Sequence, residues 1–229
     1  MKKLFAIVLT LCLMLSCACA EDALQITKET YLPIELYEDS NYVFMFTEVT
    51  NTGDTPIALD SAEVTMLSAD NEEVDTFRLY NASPWYLAPG ESAWIYGDDY
   101  LEDTALDAVP GHKLNLEYED AEGYDAMFRM PIAGEAELVS EYGEDVWRVT
   151  LTITNTTEET IFSSYVAYAL YDAAGNLLYV ADEGLEAFGL LPGQSFLMRA
   201  DVEAAFTAYW ADHAIVPATV QAYVFIAEH

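Results

Sequence analysis

The sequence predicts an all-β fold, built as two antiparallel β-sandwich domains in tandem, each with room for one short helix. Short segments of alternating apolar residues are separated by turn residues, which is typical of β-sandwiches. Residues 50–57 (TNTGDTPI) also resemble residues 154–161 (TNTTEETI), so that Asn51 and Asn155 are 104 residues apart. Residues 87–92 (LAPGES) match residues 190–195 (LLPGQS) at a spacing of 103. A nearly constant spacing over about forty residues indicates one fold built twice.

The first twenty residues have the pattern of an export signal. Two lysines precede an apolar run at residues 4–15, and Ala18-Cys19-Ala20 fits the small-residue rule for cleavage. The apolar run is too short to span a bilayer as a helix. We therefore expect a signal peptide at residues 1–20 and a secreted, extracellular chain. The alternative is lipid attachment at the cell surface through Cys17 or Cys19, although the residues before them fit the lipidation motif poorly.

Composition limits the chemistry and the partners of the secreted chain. All 3 cysteines lie in the first twenty residues, so disulfides and thiolate metal sites are not expected after cleavage. The chain has 40 acidic and 8 basic side chains, which give a formal net charge of −32. This charge disfavours binding to nucleic acid, and it predicts self-repulsion at low salt. No transmembrane segment is predicted after residue 20.

The first sandwich is predicted over residues 21–132. Residues 41–50 alternate, with Val43 and Met45 on one face of a strand. The other face carries Tyr42, Phe44 and Phe46 and is apolar as well. We expect this aromatic face either to be covered by the partner domain or to form a binding surface. Further strands are expected at residues 62–67 and 92–96, on either side of turn residues.

The second sandwich is predicted over residues 135–229. Apolar residues occupy every second position of residues 146–154, which predicts a half-buried strand. Strands at residues 165–171 and 195–199 correspond to those of the first copy. Residues 203–213 are rich in alanine and have aromatic residues at helical spacing, so a short helix is expected there.

Two further expectations concern the first copy. Residues 98–109 have a similar apolar spacing and are predicted to form the equivalent helix. The connection between the domains is expected near residues 131–134, after a hairpin formed by residues 114–118 and 124–131.

Residues 168–172 (YALYD) carry a recognisable motif. It resembles the FxLYD family, small Ig-like β-sandwich domains of bacterial and archaeal extracellular proteins, with Tyr168 in place of the phenylalanine. The first copy has VTMLS at residues 64–68, which keeps the apolar spacing but lacks the tyrosine and the aspartate. The resemblance implies an extracellular bacterial protein and no catalytic residues. Asp172 is expected to accept hydrogen bonds from backbone N–H groups of the following turn.

We expect no enzymatic activity, because the sequence lacks a recognisable catalytic constellation. The Gly-x-Ser-x-Gly pattern is absent, and His112, His213 and His229 are too far apart to suggest a zinc site. Carboxylates are abundant, so calcium is the one cofactor for which candidates exist. These candidates, none of which matches a calcium-binding loop, are Asp98, Asp99, Glu102 and Asp103.

Aromatic residues are the other candidates for binding. Trp85 aligns with Phe188 of the second copy, which favours a core position, whereas Tyr86 aligns with Gly189 and is free of that constraint. The candidate binding surface therefore comprises Tyr42, Phe44, Phe46 and Tyr86.

We expect a non-enzymatic adhesion, scaffold or ligand-binding module that recognises an extracellular protein or a cell-wall polymer. The alternatives are a calcium-dependent structural protein with acidic loops and an accessory domain of an extracellular hydrolase system.

Overall fold

The computed structural model of the chain describes residues 23–38, 40–102, 104–121, 123, 127–141, 143–162, 164–185 and 189–226. The predicted signal peptide with Cys17 and Cys19 lies outside the described residues, as do Asp103, Phe188 and His229. All strand pairs of the described residues are antiparallel, and the predicted all-β class is confirmed. We call residues 23–121 the first half and residues 127–226 the second half.

The strands follow one another with short connections. Those of the first half are β1 (Leu24–Tyr37), β2 (Ser40–Asn51), β3 (Ile57–Leu67), β4 (Glu73–Arg78), β5 (Asn81–Ser83), β6 (Tyr86–Leu87), β7 (Ser92–Tyr100) and β8 (Gly111–Asp120). Those of the second half are β9 (Phe128–Glu141), β10 (Glu144–Thr154), β11 (Ser164–Asp172), β12 (Leu177–Leu185), β13 (Ser195–Asp201) and β14 (Pro217–Ile226). The helix α1 (Ala204–Asp212) lies between β13 and β14. Within the described residues, no helix is long and apolar enough to cross a membrane.

The first half forms two sheets around one core. One sheet has the order β1-β2-β7-β5, and in the other β3 pairs with β4, β6 and β8. Val43 and Met45 of β2 pack in the same cluster as Val64 and Met66 of β3, and all four side chains have no solvent exposure. The period of two along β2 and β3 thus places these residues between the sheets.

Strand β9 carries the chain from one layer of the second half to the other. Its first part, up to Ile132, pairs with β14, and its second part, from Ala133, pairs with β10. The resulting order is β12-β11-β14-β9-β10-β13. At Gly134, beside this crossing, a Cβ atom would lie 2.6 Å from Val220 Cγ1 and 2.7 Å from Leu151 Cδ2. Glycine is required here because neighbouring side chains occupy the space of a Cβ atom.

The predicted position of the connection between the halves is wrong, because β9 runs through residues 131–134. Pro131 lies in the part of β9 that pairs with β14 alone, and an edge position of this kind is where a strand tolerates proline. The predicted hairpin is also wrong where the structure can be compared with it. Strand β8, which includes residues 114–118, pairs with β3, whereas β9 pairs with β14 and β10.

The helix predicted at residues 203–213 is present, and the one predicted at residues 98–109 is not. Phe206 and Trp210 lie four residues apart on α1 and are both buried. In the first half, β7 continues to Tyr100 because residues 98–100 pair with β2, and only Leu106–Ala108 forms a turn of 3-10 helix. Pairing with a neighbouring strand therefore overrides the helical spacing of the apolar residues.

The two Asn-Thr turns share three hydrogen bonds made by the asparagine side chain. The buried Asn51 donates through Nδ2 to the carbonyls of Thr55 (2.9 Å) and Leu87 (3.0 Å), and its Oδ1 accepts from the N–H of Gly53 at 2.9 Å. The buried Asn155 donates to the carbonyls of Glu159 (2.7 Å) and Leu190 (2.8 Å), and its Oδ1 accepts from the N–H of Thr157 at 2.9 Å. Asn51 therefore joins its turn to β6, and Asn155 joins its turn to the β-bridge residue Leu190, which follows β12.

Candidate functional site

The two halves meet along the outer face of the sheet that contains β2 and β7. Phe44 is 9% exposed and Phe46 is 2% exposed, because both pack against the second half. The ring centre of Phe44 lies 4.8 Å from that of Phe206, and the ring centre of Phe46 lies 5.3 Å from that of Tyr179. This aromatic face was expected to be either covered by the partner domain or exposed as a binding surface, and in the structure the second half covers it. Phe44 and Phe46 are therefore not available as a binding surface.

A polar network crosses the same interface. The Tyr171 hydroxyl donates to Glu48 Oε2 at 2.5 Å and accepts from Trp94 Nε1 at 2.9 Å. Lys28 Nζ lies 2.7 Å from Glu48 Oε1 and 4.9 Å from the ring centre of Tyr171. Each partner group of the Tyr171 hydroxyl thus lies in the other half, so the network fixes the halves in register.

The network changes the acidity of its members in opposite directions. Burial raises the pKa of Glu48, but the hydrogen bonds from Lys28, Tyr171 and Thr27 and the charge of Lys28 outweigh it and leave the pKa lowered. Burial, and next the bond to the Glu48 carboxylate, raises the pKa of the Tyr171 hydroxyl. Glu48 therefore stays charged and Tyr171 stays neutral, which is the state that the hydrogen bonds require.

Arg129 of β9 makes a second link between the halves. Its Nη1 donates to the carbonyl of Ser92 at 2.9 Å, and its Nη2 lies 3.1 Å from Glu91 Oε1. The guanidinium also lies 5.4 Å from the ring centre of Tyr223. A cavity of about 150 Å³ beside Arg129 and Lys28 has both cations paired with carboxylates, so its positive charge is already balanced. This cavity is better explained as part of the interface than as an anion site.

A second concave region at the interface is lined by aromatic residues from both halves. We call it the aromatic cleft; it encloses about 240 Å³, and its lining includes Tyr80, Asn81, Trp85, Tyr96, Tyr165 and Asp182. Tyr80 is 76% exposed, whereas Trp85 is half-buried and also packs on the core of the first half. The Tyr96 hydroxyl is buried and has no hydrogen-bond partner among the described residues. Clefts between domains with apolar walls and a few polar groups are the usual form of ligand sites.

The cleft has one carboxylate and one acidic neighbour. Asp182 of β12 is exposed as a residue but its carboxyl group is partly desolvated, and this desolvation, followed by the charge of Glu183, raises the pKa of the carboxyl group. On the neighbouring strand β11, burial raises the pKa of Tyr165, and a hydrogen bond with Ser83 opposes this rise. The described lining contains no lysine or arginine. The cleft is therefore aromatic and negatively charged.

The remaining residues of the predicted binding surface lie apart from the cleft. Tyr42 is half-buried, with its ring centre 5.3 Å from that of Tyr100. Tyr86 is half-buried on β6, where it pairs with Ala58. The residues that the sequence analysis missed, Tyr80 and Tyr165, come from segments 85 residues apart, and no local pattern links them.

The calcium candidates do not form a metal site within the described part of the chain. Asp98 and Asp99 are adjacent on β7 and thus point to opposite faces of the strand, and Glu102 follows β7. Asp103 lies outside the described residues. No group of three or more His, Cys, Asp or Glu residues among those described could hold a metal ion.

Asp172 has the structural contacts that its position predicted. Its Oδ1 accepts from the N–H groups of Ala174 and Asn176, both at 2.8 Å, and its Oδ2 accepts from Asn176 Nδ2 at 2.7 Å. These bonds close the turn between β11 and β12, in which Gly175 has a φ of 83°. The aspartate of the motif thus stabilises a turn.

No protein-family model matches the chain, and no curated protein matches it.

Proposed function

We propose that this is a secreted, non-enzymatic binding or scaffold protein, built from two tandem Ig-like sandwiches of the FxLYD type that act as one rigid unit. The recurrence of strand pairs supports the tandem arrangement. The pairs β1-β2 and β2-β7 correspond to β9-β10 and β10-β13, and the pairs β3-β4 and β3-β8 correspond to β11-β12 and β11-β14. The matching bonds of Asn51 and Asn155 support it as well.

The observation that carries the proposal is the burial of the β2–β7 outer face by the second half. Phe44, Phe46 and Trp94 belong to the same apolar cluster as Tyr179 and Phe206. Apolar contact combined with charged hydrogen bonds across the interface opposes movement of one sandwich against the other. A rigid pair of sandwiches holds its loops and the aromatic cleft in fixed positions, which suits recognition of a ligand or polymer.

Export is supported by the sequence alone. The basic start, the apolar run and the Ala18-Cys19-Ala20 site are those of a secreted chain, and no cysteine follows residue 20. The large negative charge suits a protein that stays soluble outside the cell.

The proposal is tested by retention of the protein, expressed from Glu21 onward, on insoluble cell-wall material and on immobilised extracellular proteins. We expect saturable retention on one of them and recovery of the bound material chemically unchanged. Cleavage of the bound material would contradict a non-enzymatic role, and absence of retention on every fraction would contradict a binding role.

Rigidity is tested separately by calorimetry. We expect one unfolding transition for the two halves, because the interface couples them. Phe46→Ala removes an interface ring and should lower the midpoint or split the transition, whereas Tyr37→Ala, which removes an exposed ring, should do neither. Two separate transitions in the unaltered protein would contradict the rigid unit.

A further inference from the structure

We propose that the aromatic cleft binds the primary ammonium group of an organic cation, carried either by a lysine side chain of a partner polypeptide or by a free alkylamine. This inference rests on the proposed function, because it names the ligand class of the binding module.

The walls of the cleft suit a cation. Tyr80, Trp85 and Tyr165 line it, and the faces of such rings carry the negative part of the ring quadrupole. A cation within about 6 Å of a ring centre is attracted to that face, most strongly where it is shielded from water. Half-burial of Trp85 and Tyr165 at the junction of the halves provides such shielding.

The charged residues around the cleft favour a positively charged ligand over an anion. Asp182 contributes a carboxylate, Glu183 follows it on β12, and the described lining has no basic side chain. The basic residues of this interface, Lys28 and Arg129, line the neighbouring cavity and are paired with carboxylates there. An anion would thus meet uncompensated negative charge in the cleft, in a chain whose net charge is −32.

Hydrogen bonding selects a primary ammonium group over a quaternary one. Asp182 is a hydrogen-bond acceptor in the lining of the cleft, and the side chain of Asn81 offers an amide oxygen there. An ammonium group has three N–H donors for such acceptors, whereas a trimethylammonium group has none.

The test uses the full secreted chain labelled with ¹⁵N and follows the indole N–H resonance of Trp85, assigned by its loss in Trp85→Phe. The probes are n-butylammonium and Nα-acetyl-lysine amide, at constant ionic strength. Tetramethylammonium and N-acetylglucosamine are the comparison ligands, because one lacks N–H donors and the other lacks charge. We expect saturable shifts with both ammonium probes and at least about fivefold weaker binding of tetramethylammonium. The tighter of the two ammonium probes identifies the source of the group.

Two pairs of variants assign the binding to the cleft. Asp182→Asn should weaken binding about tenfold, while Asp60→Asn, which removes the same charge from an exposed position outside the cleft lining, should change it less than about twofold. Tyr80→Ala should weaken binding, while Tyr37→Ala should not, although both side chains are exposed. Because all four positions are exposed, the variants should keep the spectrum of the folded protein.

The inference is overturned if no ammonium probe shifts the Trp85 resonance, if only N-acetylglucosamine shifts it, or if Asp60→Asn weakens binding as much as Asp182→Asn. The proposed function survives any of these results as long as the protein is retained on wall material or extracellular protein. Loss of all retention together with saturable ammonium binding would contradict the proposed function and support the cleft as a site.

Discussion

Replacement of Asn155 by alanine tests the role of the buried asparagine that follows β10. Asn155→Ala removes the two bonds from Nδ2 to the carbonyls of Glu159 and Leu190 and the bonds to Oδ1 from the N–H and the hydroxyl of Thr157. The buried Leu190 carbonyl keeps the hydrogen bond from the N–H of Ile161 at 3.0 Å, so the loss there is that of one net hydrogen bond, about 0.5–1.5 kcal/mol. Glu159 is exposed and Thr157 half-buried, so water replaces part of their bonds, at about 0.5–1 kcal/mol each. We expect the free energy of unfolding to fall by about 2–3 kcal/mol.

Urea unfolding, followed by tryptophan fluorescence and circular dichroism, measures this change. Asn115→Ala is the matched control, because Asn115 lies exposed on β8, and it should change the free energy by less than about 0.5 kcal/mol. Asn51→Ala should cost about as much as Asn155→Ala, since Asn51 makes the equivalent bonds. A loss of less than about 1 kcal/mol for Asn155→Ala would refute the reasoning, because the hydrogen bonds would then be dispensable.

Three further predictions concern packing, pH and salt. Gly134→Ala should lower the free energy of unfolding by about 1–3 kcal/mol, because its Cβ atom would lie 2.6 Å from Val220 Cγ1. Gly184→Ala is the control for the same urea assay and should leave the free energy unchanged, because no atom lies within 4 Å of the Cβ position at Gly184. Glu48→Gln should lower the free energy of unfolding at neutral pH. The difference in this free energy from the unaltered protein should shrink as the pH falls below 4.5, because the pKa of Glu48 is lowered in the folded state and its stabilising charge is lost only on acidification. Urea unfolding at several values between about pH 3 and pH 7 measures this difference, and a constant difference would contradict the assignment. Raising sodium chloride from about 10 mM to about 300 mM should raise the melting temperature, because it screens the repulsion among 40 acidic side chains; no change would exclude self-repulsion as a destabilising factor.

Local patterns in the sequence were sufficient for much of the fold. The alternation in residues 146–154 predicted β10, and the Asn-Thr turns were recognised by comparing residues 51 and 155. The helix at residues 203–213 was predicted from its alanine content and aromatic spacing. In each case, residues near one another in sequence determine the structure.

Predictions failed where pairing with distant strands decides the outcome. Residues 98–100 have helical spacing but extend β7, because they pair with β2. Pro131 and Gly134 resemble a linker, yet Pro131 lies in the part of β9 that pairs with β14 alone, and Gly134 is enclosed by Val220 and Leu151. The aromatic cleft was not predicted either, because its walls come from both halves and meet only after the halves pack together.

The sheet that contains β2 and β7 is covered on both faces, with Val43 and Met45 on one side and Phe44 and Phe46 on the other. A truncated chain that ends after β8 would expose the face that carries Phe44 and Phe46 to water. The result would be an exposed aromatic surface along two neighbouring strands, which favours aggregation. Such a fragment should self-associate or require detergent. A domain from a chain of independently folding domains would not, because it has no exposed interface. Exchange of one half for a homologous sandwich, by recombination or by protein engineering, would likewise succeed only if the replacement brought a complementary aromatic surface with it.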